Sequence, residues 1–446
     1  MAQRTPVLSL VRTERGRAYV TVWLVVLLMS GQGFRYLMGL PAYILLTVLT
    51  VVAVALIFRP RLATLKPPLL VGMFIVLAAV STLWSATRAV TALAVLALIA
   101  TTFVAMVTVR GANPVQFMVL LYRGLQISLF LGVAFELFVS LVIRHPIGPL
   151  VNDLRAIAGD HPNAAAEEWS DNLLFHGGPI QGFVGNRNPF GAIALFTAVA
   201  AMILLMERRL RRADGLFTIV IAVAVLLLTM SATVTVAAAY IVVLTVAALA
   251  IRAVPAPLKR ALSFTVLTCT AIAAVLTIKY RDQIFALLDR GSDATHRTEI
   301  WNEVIHYAWQ RPEGWGFVGY WPTWTEPYSS IVDNVGVLAA HAHNAFLDSW
   351  LQLGLIGLAL LLAMVLLLFG SAWRLVERAN WGDTYIPLGW ALLTAGLVLQ
   401  ALTESRLLVE GGWFLLVALY CSGPPVFKLT IVDPSLVHTG NPQTIE

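Results

Sequence analysis

Three short motifs hold the residues of this chain best suited to chemistry. His343 and Asn344 lie within HAHNAFLDSWLQLGLIG, residues 341–357, and Gly354 and Gly357 follow after a nine-residue gap. On an α-helix the eleven steps from His343 to Gly354 close about three turns, which sets an imidazole above a stripe of small residues suited to close helix packing. An imidazole in that position can accept a proton, so His343 is a candidate general base, and a structural histidine hydrogen-bonded at a helix start is the plainer reading. Asn344 is the residue expected to start the helix. His341 completes an HxH pair that could hold a metal with Asp333, but the further ligands of a convincing site are lacking and no metal is expected.

The second motif is GNRNPFGAIAL, residues 185–195. Asn188 suits an N-cap and Pro189 a first helical position, so a helix is expected to begin there with Arg187 just above its positive end. Free amides, a helix dipole and a guanidinium fork together favour a phosphate. The alternative is an interfacial arginine on lipid headgroups.

The third motif is HRTEIWNEVIHYAWQRPEGWGFVGY, residues 296–320. Ile300, Trp301, Val304, Ile305 and Ala308 form an apolar stripe at helical spacing, after a cap at Asp293 or Thr295 and before Pro312 and Gly314. The expectation is an amphipathic helix lying against the outer membrane surface. Arg297 and Trp301, four apart, share a face and could meet one ligand; a surface ion pair of Arg297 with Glu299 or Glu303 is equally compatible with the spacing.

What must position these groups is a membrane domain. The chain has 446 residues, 59% hydrophobic and 12% charged, whereas soluble domains carry about a quarter charged residues. Twelve apolar runs are expected to span the bilayer, at 18–33, 41–58, 68–84, 89–109, 116–142, 190–206, 216–231, 234–251, 261–279, 345–371, 385–403 and 411–427. The fold class is therefore an all-α polytopic membrane protein, a single domain over 1–446 with no cleavable signal peptide.

Lysines and arginines set its orientation. Arg15 and Arg17, Arg59 and Lys66, Arg110, Arg208 to Arg212, Arg252 to Arg260, and Arg374 and Arg378 cluster on one side, while the opposite short loops carry Arg35, Arg88 and Arg406 singly. Both termini are then cytoplasmic, and the two long polar segments, 143–189 and 280–344, face outward and carry short amphipathic helices. Every histidine except His438 lies in those two segments, so chemistry is expected outside. Rings such as Trp315, Trp321, Trp324 and Tyr320 suit sugar stacking or the bilayer interface.

The net charge of +6 is mostly topogenic and implies no nucleic-acid partner. Cys269 and Cys421 fall inside expected spans and define no disulfide framework. No phosphate-binding loop, dinucleotide fingerprint or HExxH pattern occurs, so no cofactor is expected and energy must come from the substrate or an ion gradient.

The His343–Asn344 pair, the nine-residue gap and the Gly354/Gly357 pair resemble the signature of the O-antigen ligases. The Arg187 motif, the Arg297 motif and twelve spans with a large outer loop between the ninth and tenth are similar to the wider ligase and polymerase superfamily. Trp301 stands where relatives often have leucine, which weakens any role for it but leaves Arg297 in place. The resemblance implies a bacterial inner-membrane enzyme that transfers a polysaccharide from undecaprenyl diphosphate to lipid A-core on the periplasmic side, with neither metal nor nucleotide.

In that chemistry the donor carries its own leaving group. His343 is then the expected base, Arg187 and Arg297 the expected diphosphate clamp, and Arg35 and Arg88 weaker candidates for donor or acceptor phosphates. Direct attack by the acceptor inverts the anomeric centre. Two alternatives stay open: an O-antigen polymerase or protein O-oligosaccharyltransferase using the same donor, and a lipid-linked glycan transporter. A transporter would place polar groups at mid-membrane, whereas the runs are mostly clean apart from Arg123 and Glu136 of the fifth span. Oligomeric state is not set by these features.

Overall fold

The computed structural model describes residues 14–59, 65–151, 168–279 and 291–423, and apart from one antiparallel bridge between Ile147 and Ser170 its regular elements are helical. His161, His438 and the most N-terminal arginines lie outside the described residues, as does the end of the last expected span. The α-helices are α1 (Glu14–Met29), α2 (Gly31–Phe58), α3 (Leu69–Val80), α4 (Arg88–Arg110), α5 (Pro114–Phe138), α6 (Arg187–Met206), α7 (Arg212–Leu228), α8 (Ala232–Ala253), α9 (Ala256–Lys279), α10 (Gly291–Gln310), α11 (Tyr328–Val335), α12 (Ala345–Arg378), α13 (Ile386–Ala401) and α14 (Glu410–Ser422). Each of the twelve apolar runs falls on one of them, while α10 and α11 belong to the second long polar segment.

Among the described residues six helices, α2, α4, α5 with the π turn that follows it, α6, α8 and α12, are long and apolar enough to cross a membrane. Aliphatic side chains such as Val220 and Leu227 on α7 and Val236, Val242 and Val246 on α8 stand in the open, a surface suited to lipid tails. The chain is a multi-pass membrane protein. Its most enclosed helix is α6, with 78% of its most apolar stretch buried. Gly191, Ala194, Ala200 and Ala201 keep it thin enough for α5, α7 and α13 to pack around it.

The charges inside α5 are tied to neighbours. Arg123 pairs with Asp214 of α7 at 2.9 Å, and Gln126 bridges Asp214, Tyr122 and Thr218. Glu136 is fully buried and accepts from the Gln181 and Gly182 amides and the Ser170 hydroxyl, which fastens the 170–182 segment onto the end of α5.

Several expectations are corrected by local geometry. Helix α6 is capped by Asn186, whose Oδ1 accepts from the Asn188 amide at 3.0 Å, so Asn188 lies inside the helix. Two asparagines spaced by two both suit a cap, and the side chain of Asn188 is drawn to polar partners in the interior. Helix α10 starts at Gly291, before both Asp293 and Thr295. Its stripe does not turn towards a membrane surface: Ile300, Val304 and Ala308 are buried against Trp321, Tyr328, Ile331, Ala342 and Leu351.

The stripe proposed for α12 also fails. Asn344 caps the helix, with Oδ1 accepting from the Phe346 and Leu347 amides at 3.0 and 3.1 Å, so His343 lies outside it with φ 49°. Gly354 then breaks the helix at φ 67°, ψ −169°. In an unbroken helix the Leu355 amide would donate to the Leu351 carbonyl; here Leu355 donates to Pro312, and Trp315 donates to Leu351. A Cβ on Gly354 would stand 1.9 Å from the Pro312 oxygen, and one on Gly357 would stand 2.3 Å from Cβ of Leu353. Gly354 thus admits the 312–316 segment into a kink, and Gly357 makes room for its own helix; neither opens a face to another helix. A second break, at Gly39 (φ 81°) with Pro41 beyond it, divides α2 into a short outer piece and a long apolar one.

Candidate active site

The loop between α11 and α12 is held from both sides. The Ala342 amide donates to Asp348 Oδ2 at 3.0 Å, and its carbonyl accepts from the Trp301 indole at 2.9 Å. Asp348 also accepts from the Trp321 indole at 2.7 Å and from Gln352, whose Oε1 in turn accepts the Val318 and Gly319 amides. Trp301 therefore braces the histidine loop. The rings of His341 and His343 lie 4.2 Å apart, and the His343 amide donates to His341 Nδ1 at 3.1 Å.

Glu404, between α13 and α14, faces both rings. Its carboxylate is 4% exposed and lies 3.7 Å from His343 Nδ1 and 3.9 Å from His341 Nε2. It also meets Arg297 Nη2 at 3.3 Å and accepts from Asn188 Nδ2 at 2.7 Å. A second Arg297 nitrogen donates to the Thr403 carbonyl at 2.9 Å. Arg297 is thus paired across the fold with Glu404, while Glu299 meets His296 and Glu303 meets Asn334. Burial alone would raise the Glu404 carboxyl; His343, His341 and Arg297 outweigh it and hold it below the usual carboxylate range. Burial and then His343 push His341 down to about 3; Glu404 opposes them, and Arg406 and Arg297 add smaller downward effects.

Both histidines and Glu404 line a cavity of about 320 Å³ together with Arg35, Tyr320 and Arg406. His343 Nδ1 is buried without a hydrogen-bond partner, facing Glu404, which leaves Nε2 as the nitrogen able to face the cavity. Arg35, on the outer piece of α2, is ion-paired to Glu410 and lies over the rings of Tyr43 and Tyr320 at 5.4 and 5.5 Å. Arg187 is half-buried beside Asn186, a lining residue. Arg88 is exposed, bonded to the Leu83 carbonyl and outside the cavity, so it is not brought to the site. A larger apolar hollow, about 850 Å³ beside Pro114, Arg209 and Trp390, has no cluster of ionisable groups.

Among the described residues, His341, His343 and Glu404 are the one group close enough to share a metal ion, and Asp333 is not in it. The donor set fits an ion poorly. Because His341 Nδ1 accepts from the His343 amide, the proton of the neutral ring sits on Nε2, the nitrogen turned to Glu404. Arg297 already occupies the same carboxylate.

Glu404 and Glu410 were missed by reasoning from sequence, since neither belongs to a motif. The available signal was an acid within TESR, residues 403–406, on the side of the molecule that holds the histidines. Residues 216–362 match the family described as O-antigen ligase, a span containing Arg297, His341 and His343. No curated protein matches the chain. Over that third of the chain, which carries the histidine loop set over the cavity in a multi-pass helical bundle, the protein is similar to the O-antigen ligase family.

Proposed function

We propose that this chain is an O-antigen ligase, an inverting glycosyltransferase that moves a polysaccharide from undecaprenyl diphosphate to a sugar of lipid A-core. The observation that carries the reading is the His343–Glu404 pair on the wall of a cavity lined by arginine and tyrosine. His343 Nε2 takes the proton of the acceptor hydroxyl as its oxygen attacks the anomeric carbon. The bond from that carbon to the diphosphate breaks, and the lipid diphosphate leaves with the electron pair. Glu404 keeps the ring oriented and balances the imidazolium that forms.

Arg187, at the start of α6, is the proposed partner of the diphosphate from the second motif. Arg297 helps indirectly, because its charge is taken up by Glu404. Metal-independence is part of the proposal and is supported by the tautomer of His341. So are twelve crossings, an inner-membrane location, cytoplasmic termini and a periplasmic active site, supported by the basic residues gathered on the opposite side from the histidines.

The test is a reaction of the purified protein with lipid-linked glycan and lipid A-core. A covalent lipopolysaccharide product with inverted configuration is expected. Retained configuration, a trapped glycosyl-enzyme or transport without a covalent product would contradict the mechanism. In cells, loss of the protein is expected to leave core without O-antigen; core bearing single repeat units would identify a polymerase, and an unchanged profile a protein glycosylase.

A further inference from the structure

Arg35 and Arg406 line the cavity and Arg297 meets Glu404 on its wall, and the partners of these three differ. Arg35 is paired with Glu410 and Arg297 with Glu404. Arg406 donates to the neutral amide oxygen of Gln32, and no carboxylate among the described residues lies in ion-pair contact with it. Of these three, Arg406 is the one whose recorded side-chain partner carries no charge.

The backbone holds this side chain in place. Glu404 and Val409 are extended on either side of a short turn, Ser405–Leu408, and the Arg406 carbonyl accepts from the Val409 amide at 3.2 Å. Gly412 packs so closely that a Cβ there would stand 2.1 Å from the Arg406 oxygen. Arg406 follows two residues after Glu404, so an anion held by it stands beside the proposed base and its partner.

We propose that Arg406 is a further residue that binds the diphosphate of the lipid-linked donor, beside Arg187 and in the role expected of Arg297. A planar fork suits two phosphate oxygens, and Gln32 is a neutral partner that an anion can displace or share. The inference rests on the transferase reading above.

The experiment measures dissociation constants of undecaprenyl diphosphate and undecaprenol for the full-length protein in detergent. Arg406→Gln is expected to weaken diphosphate binding about ten- to a hundredfold, the range for losing a charge-assisted contact, without changing undecaprenol binding. Arg406→Lys, which keeps the charge and guards against misfolding of the first variant, is expected to lose about tenfold or less. Arg144→Gln, at an exposed arginine outside the cavity, controls for net charge. Normal diphosphate binding by Arg406→Gln overturns the inference, and the transferase reading, in which Arg187 holds the diphosphate, is left standing. Equal binding of diphosphate and undecaprenol by the unaltered protein overturns both.

Discussion

At Glu404 four side chains from three distant parts of the sequence converge on one buried carboxylate. Its depressed pKa keeps it ionised across the range in which enzymes of this kind work, so His343 always has an anionic neighbour. Replacing it by glutamine keeps the shape and removes the charge. Glu404→Gln is expected to lower the transfer rate about tenfold to a hundredfold, because the imidazolium is no longer balanced; an unchanged initial rate would exclude a part in proton transfer. His341 contributes to stability with a definite sign. Its folded pKa, about 3, lies below the ordinary 6.5, so between these values the unfolded chain binds the extra proton. Its contribution is complete above about pH 6.5 and is lost as pH falls towards about 3. The melting temperature of the purified protein is expected to drop between about pH 7 and about pH 5, and His341→Gln to flatten that slope.

Helix α12 shows what a sequence can and cannot say about an element. Its existence and its cap at Asn344 follow from an apolar run behind a good capping residue. The break at Gly354 was not legible, because a glycine inside an apolar helix reads equally as a small packing residue, and the segment that enters the kink is some forty residues earlier in the chain. The kink also stabilises the site: it seats 312–316 against the turn that carries Asp348 and Gln352, of which Asp348 anchors the histidine loop and Gln352 holds Asp348 and the 318–319 amides. Gly354→Ala puts a methyl onto the Pro312 carbonyl at a positive φ. It is expected to destabilise the protein by about 3 kcal/mol or to prevent its isolation as a folded monodisperse species, as read by a melt or by gel filtration. A melt within about 0.5 kcal/mol of the unaltered protein would contradict the kink.

Across the whole molecule the helices were legible from composition, since a bilayer demands long apolar runs and leaves few other ways to satisfy the backbone. The site was legible only in part. His343 and Arg297 stand in motifs, whereas the carboxylate between them joins Asn188 across 216 residues and Arg297 across 107, and no local pattern reports pairings at such range. Orientation can be checked directly. In spheroplasts of a strain carrying a cysteine-free chain, a membrane-impermeant maleimide is expected to modify Arg144→Cys and to spare Arg260→Cys; the reverse pattern would invert the proposed topology and contradict a periplasmic active site. The central claim is that His343 performs the chemistry. Its most direct test is the single-turnover rate of glycan transfer from undecaprenyl diphosphate to lipid A-core by purified His343→Gln, with donor binding measured in parallel. A rate loss of about a hundredfold or more with donor affinity retained is predicted, and transfer at the unaltered rate by a folded His343→Gln protein would contradict the account.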